Sequence, residues 1–118
     1  SDFRDLEEAV EKGNDRAKLA IEMFEYEIVK FIGSYIAALG GLDALVFAGG
    51  IGENGPEIRE SIVNQLSVFG LKIDAEKNKA RGKELDITGE GSSAKVFIVP
   101  TNEELMIARD TRELVTAR

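Results

Sequence analysis

The chain has 118 residues, 43% of them apolar and 31% charged, proportions that fit one soluble globular domain with one modest core and exclude disordered, fibrous and membrane-embedded classes. Its 22 acidic and 15 basic side chains leave a formal charge of −7, a field that repels polyanions, so neither nucleic acid nor an anionic membrane surface is an expected partner. With no cysteine and no histidine, disulfides, thiolate zinc sites, thiol nucleophiles and imidazole bases are excluded, and carboxylates would have to hold any metal. The start shows no charged n-region, apolar h-region and cleavage site, and no apolar run approaches the roughly 20 residues of a bilayer span. A cytoplasmic location is therefore expected. Opening at Ser1 instead of methionine, the chain reads as a piece of a longer one.

In chain order, residues 5–10 carry Leu6, Ala9 and Val10 at helical spacing, and Gly13 with Asn14 supplies a helix stop followed by a new N-cap. From Asp15 to Leu39 the positions Ala17, Ala20, Phe24, Ile28, Phe31, Tyr35 and Leu39 repeat every three or four residues, which predicts a long helix buried on more than one side. Gly40 and Gly41 end it. The apolar run 44–48 predicts a buried parallel strand, the segment 49–55 a glycine loop, and Pro56 with Ile58, Ile62 and Leu66 a helix. Between residues 67 and 94 the pattern weakens: Val68, Phe69, Leu71 and Ile73 are compatible with a short strand, and the charged stretch 74–91 predicts an exposed, partly mobile excursion. Residues 95–99 predict a second buried strand and residues 100–118 a terminal helix carrying Leu105, Ile107, Ala108, Leu114 and Val115.

Two constellations carry candidate chemistry. The first is Gly49-Gly50-Ile51-Gly52-Glu53-Asn54-Gly55, between a buried strand and a helix, where open α/β sheets bind ligands and glycines let backbone amides approach them. A tight turn needing glycine for conformation alone is the alternative. Gly50, Gly52 and Gly55 also spell a dinucleotide fingerprint, with Asp74 near the spacing of a ribose-binding acid. Against it, Glu53 would put negative charge inside a pyrophosphate cradle. The second is Pro100-Thr101-Asn102-Glu103-Glu104, in which Thr101 and Glu104 fit a capping box. With Glu104 turned back to cap the helix, Glu103 points elsewhere and is a candidate Mg²⁺ carboxylate, unless it only complements the helix dipole. At the start, Asp2, Phe3 and Arg4 combine an acid, a ring and a guanidinium, a set able to hydrogen-bond and stack on a nucleoside.

The stretches Ser1 to Arg4, 44–54 with Pro56-Glu57-Ile58-Arg59, 70–74, and 98–105 with Ile107-Ala108-Arg109 together resemble the C-terminal part of the acetokinase family, the acetate, propionate and butyrate kinases. The match runs through nearly the whole chain in the family's order. The resemblance implies an α/β fold, part of a ribonuclease-H-like domain of the actin-like ATPase superfamily that lacks its N-terminal three-stranded meander, with residues 1–118 as the C-terminal part of the nucleotide-binding domain. It implies reversible transfer of the γ-phosphoryl of ATP to acetate, giving acetyl phosphate and ADP, with ATP/ADP and Mg²⁺ as cofactors. Residue by residue it implies adenosine contacts at Asp2, Phe3 and Arg4, a nucleotide loop at Gly50, Ile51, Gly52, Glu53 and Asn54, and a magnesium-associated carboxylate at Glu103. The family's catalytic arginines, acetate pocket and first phosphate loop lie upstream, so no catalytic residue is expected in this chain and no kinase activity from it alone. Gly55 departs from the family's usual serine, which leaves the N-cap of the next helix to glycine or Asn54 and should change stability more than chemistry. Without the meander, the 44–48 strand should present a bare apolar edge, and a homodimer or other homo-oligomer is expected. A stand-alone, non-enzymatic nucleotide-binding module is the alternative.

Overall fold

A computed structural model describes residues 2–100 and 116–117, with only the backbone of Asp2, Phe3, Ile51, Glu53, Asn54, Thr116 and Ala117. The chain opens with α1 (Asp2–Glu11) and turns at Gly13 into α2 (Asp15–Leu39). Asn14 caps α2 as its sequence position predicts: its Oδ1 accepts from the Ala17 amide at 3.0 Å, satisfying one of the orphan donors of the first turn. At the other end Gly40 adopts φ 76°, a left-handed conformation that glycine takes without strain, and its amide donates to the Ile36 carbonyl.

Then come β1 (Ala44–Phe47), a short helix α3 (Gly49–Asn54), α4 (Pro56–Gln65), β2 (Leu85–Asp86), β3 (Lys95–Ile98) and β4 (Thr116–Ala117). The sheet order is β2-β3-β1-β4. β1 runs parallel to β3, in the register Leu45 to Val96 and Phe47 to Ile98, and parallel to β4, whereas β2 is antiparallel to β3. All four residues of β1 are buried, as a central strand covered on both faces requires. The core lies where Leu45, Phe47, Val96 and Ile98 meet Ile58, Ile62, Val63 and Leu66 of the α4 region, joined by Ile32 of α2.

These expectations change. Residues 49–54 are helical instead of an open loop. Residues 67–69 make a 3₁₀ turn, and Ile73 contributes only an isolated bridge to Thr88. β3 alternates, with Lys95 exposed, Phe97 half-buried and Val96 and Ile98 buried, and Lys95 Nζ stands 3.8 Å from Asp86 of the neighbouring β2. The 44–48 strand is not a bare edge, since Val46 and Phe47 pair with Thr116 and Ala117. That same pairing makes residues 116–117 strand where a helix was expected; the remainder of that helix lies outside the described residues.

A further change concerns the charged stretch 74–91, which is tied to the body of the fold. The Asp74 amide donates to the Ile87 carbonyl at 2.8 Å, the Ile87 amide to Val96 at 2.9 Å and the Gly89 amide to Lys72 at 2.9 Å. Ile87 and Asn78 are buried. Its high charge content belongs to the outward-facing side chains, which is why composition alone misreads it.

Candidate functional site

β1 delivers the chain to the carboxyl edge of the sheet. There Ala48 is still extended, Gly49 turns with φ 78°, and α3 begins at once. Gly49 is glycine for conformation, because a side chain at that φ is strained. Gly50 differs: it is exposed, it is not in a positive-φ conformation, and a Cβ built on it would meet nothing within 4 Å. Neither backbone nor packing among the described residues demands glycine at 50.

The far end of α3 is held by an arginine. Arg59, in the first half of α4, is 0% exposed. Its Nη1 donates to the Gly52 carbonyl at 2.8 Å, its Nε to Asn78 Oδ1 at 2.8 Å, and its Nη2 to the carbonyls of Asn78 and Ala80, both at 2.6 Å. Asn78 Nδ2 in turn donates to the Pro56 carbonyl at 2.8 Å. A helix leaves its last carbonyls without internal partners and its C-terminal end negative, so a guanidinium on Gly52 meets both needs. Burial, with a smaller push from Arg81, lowers the Arg59 pKa to about 10, which keeps it charged at neutral pH. No carboxylate among the described residues forms an ion pair with it; neutral oxygens carry the charge.

A cleft of about 570 Å³ lies between α1, α2 and the first turn of α4, lined by Arg4, Glu7, Glu25, Glu57 and Arg81 among others. Arg81 stands 3.7 Å from Glu57 across it. Burial, then the neighbouring Glu57, raises the Glu7 pKa, while Arg81 and Arg4 oppose the rise. The cleft offers carboxylate acceptors and two guanidinium groups around an apolar floor that includes Val10, Ile21 and Ile58.

The structure thus brings Arg4 into one cleft with the first turn of α4, the turn that follows directly on Gly50, Gly52 and Asn54. Backbone placement puts Asp2 and Phe3 in the first turn of α1 beside Arg4. Thr101, Glu103 and Glu104 lie outside the described residues. Asp74 is occupied locally, its Oδ1 accepting from the amides of Glu76 and Lys77 at 3.0 Å each, and G-x-G-x-x-G is split between α3 and the start of α4, so the dinucleotide fingerprint has no support. Among the described residues no group of three or more acidic side chains is placed to hold a metal ion. Reading the sequence for chemistry missed Arg59, Asn78 and Arg81. Arg59 falls one position beyond Ile58 in a helix stripe, where a charged residue reads as solvent-facing. The signal that could have found it is the Pro56-Glu57-Ile58-Arg59 block within the family resemblance.

The sequence profile of the acetokinase family matches residues 1–109. An acetate kinase of Desulforamulus reducens is 60% identical over 115 residues, covering 98% of this chain and 29% of that one. The crystal structure of Porphyromonas gingivalis acetate kinase superposes with a TM-score of 0.80 at 42% identity, over 85% of this chain and 25% of that one. A propionate kinase from Francisella tularensis subsp. tularensis SCHU S4 gives 0.77 at 41%, over 86% and 26%. The chain spans about 29% of the length of the curated relative it matches, and among the described residues no helix is long and apolar enough to cross a membrane. With its profile match and its fold both covering most of the sequence, this chain belongs to the acetokinase family.

Proposed function

We propose that this chain is the nucleotide-binding C-terminal portion of a cytoplasmic acetate kinase, a transferase that moves the γ-phosphoryl of ATP to acetate and returns acetyl phosphate and ADP. The observation that carries the reading is the single cleft joining Arg4 to the first turn of α4, next to the unhindered backbone of Gly50. Carboxylates such as Glu7 and Glu57 repel phosphate but accept from ribose hydroxyls and a base amino group. The adenosine end of the nucleotide therefore belongs in the cleft with Asp2, Phe3 and Arg4, and its phosphates toward Gly50, Ile51, Gly52, Glu53 and Asn54. Mg²⁺, associated with Glu103, supplies charge neutralisation on the phosphates when bound. The chain's own residues position the nucleotide; the groups that stabilise the transferring phosphoryl lie upstream, in a longer chain.

In the same reading the domain is the latter part of a ribonuclease-H-like fold, and the intact enzyme is a homodimer or other homo-oligomer. Support for association comes from α2, where Leu19, Met23, Tyr26, Phe31 and Tyr35 are all exposed. The test is a coupled assay of the full-length kinase carrying this segment, with acetate, propionate and butyrate in turn. ATP-dependent turnover with acetate is expected, and turnover with none of the three overturns the function. The 118-residue chain alone is expected to give no acetate-dependent ADP formation, because electrostatic stabilisation of the phosphoryl group is the largest catalytic contribution and its cationic groups are elsewhere.

A further inference from the structure

We infer that Arg59 and Asn78 form a positioning pair for the nucleotide segment, so that the charged stretch 74–91 takes part in nucleotide recognition through Asn78 and Ala80, which do not line the cleft. The inference rests on the nucleotide reading of residues 50–54. Arg59 reaches two separate parts of the chain from one fully buried guanidinium: the Gly52 carbonyl in α3, and, in the 74–91 stretch, the Asn78 side chain and carbonyl and the Ala80 carbonyl. The Arg59 amide also donates to the Gly55 carbonyl at 3.0 Å. Asn78, 3% exposed, closes the ring by donating to Pro56, the residue at the α3–α4 junction. The orientation of α3 is therefore set from both sides of that junction.

Two features separate this from ordinary core packing. α3 is only six residues long, too short to hold its own axis, since an isolated helix of that length is unstable in water. It is consequently placed by what grips it, and among the described residues the Gly52 carbonyl is gripped by Arg59. Moreover the node is polar where an apolar one would be cheaper in desolvation, and every Arg59 nitrogen has a partner within hydrogen-bond distance. Planar, multi-pronged donation of that kind fixes direction as well as distance.

The test uses the full-length kinase carrying this segment, with Arg59→Lys and Asn78→Ala. Lysine keeps the charge but cannot span the acceptors in one plane, so Arg59→Lys should raise the KM for ATP on the order of tenfold to a hundredfold while the KM for acetate stays within about twofold. Asn78→Ala, a milder change that leaves the Arg59 contact to Gly52 unsupported, should shift the ATP KM in the same direction by a smaller factor. A lowered melting temperature with both KM values unchanged in either variant overturns the positioning role and leaves the nucleotide reading standing. Should Arg59→Lys fail to fold, Asn78→Ala decides alone. An unsubstituted enzyme whose rate is independent of ATP overturns the nucleotide reading, and this inference with it.

Discussion

α4 and α2 are both amphipathic helices, and they end up in opposite situations. α4 spans 10 residues and buries Pro56, Ile58, Arg59, Ile62 and Val63. α2 spans 25 residues and fully buries only Ala17 and Ile32, while Met23 and Tyr26 are each 60% exposed. Hydrophobic pattern alone does not separate them. The difference is in what each finds within this chain: α4 meets the sheet on one side and the 74–91 segment on the other, whereas the outward stripe of α2 has no such neighbour among the described residues. α4 and the segment it anchors thus form a finished unit, and α2 is a helix with surface left over.

That contrast can be broken by substitution. Ile62→Ala should cost about 2–5 kcal/mol, because the side chain is 1% exposed in a closed core, read as a fall in the urea midpoint at unchanged slope. A cost below about 1 kcal/mol would mean that the α4 unit is looser than its burial implies. Gly89→Ala should come next, at about 1–3 kcal/mol, since a Cβ there would stand 2.9 Å from the Ile73 backbone and must push the Ile73–Thr88 bridge apart. Amide exchange at Gly89 and Ile87 should speed up in that variant. Asn14→Ala should cost about 1 kcal/mol through the lost cap on Ala17, with thermal unfolding as the check. On the outward face of α2, Met23→Ser should lie within about 0.5 kcal/mol and reduce association in light scattering; unchanged association would place the contact surface elsewhere.

The smallest effect is one of pH. Hydrogen bonds from the Thr88 hydroxyl and amide hold the Asp86 carboxyl below its ordinary pKa. A depressed carboxyl stabilises the fold above its unfolded value and loses that contribution as pH falls through the folded one. The turn joining β2 to β3 should therefore loosen only below about pH 4, and because Asp86 is largely solvated the change is slight. Thr88→Val, which removes the hydroxyl bond and keeps the amide bond, should reduce that acid-range dependence, measured as stability against pH.

Much of this was legible in the residues. Asn14 and Gly40 set the ends of α2 because capping is local chemistry, decided within a few residues of the cap. The strand at 44 announced itself as a continuous apolar run and that at 95 as a β-branched one, and Pro56 marked the first turn of α4. What could not be read depended on distant partners. Arg59 looks solvent-facing until Asn78 and Ala80, 19 and 21 residues further on, arrive to accept its hydrogen bonds, and the order of the 74–91 segment follows from that encounter together with its backbone bonds to Lys72 and Val96. The pairing of β4 with β1 is likewise a long-range event for which the sequence at 116–117 carries no signal. Of the candidate site, Arg4 and the glycines were singled out by residue chemistry and then by family resemblance, whereas the cleft that unites Arg4 with Glu57 and Arg81 required the fold.

The central claim is that the α1 start and the 50–54 segment form one nucleotide site. Hydrogen exchange read by mass spectrometry on the full-length kinase carrying this segment, with and without ADP, tests it most directly. The account predicts that peptides covering residues 2–10 and 49–58 gain protection together at the same ADP concentration, while the outer face of α2 is unchanged. Protection confined to other parts of the enzyme, with both of these peptides unaffected at saturating ADP, would contradict it.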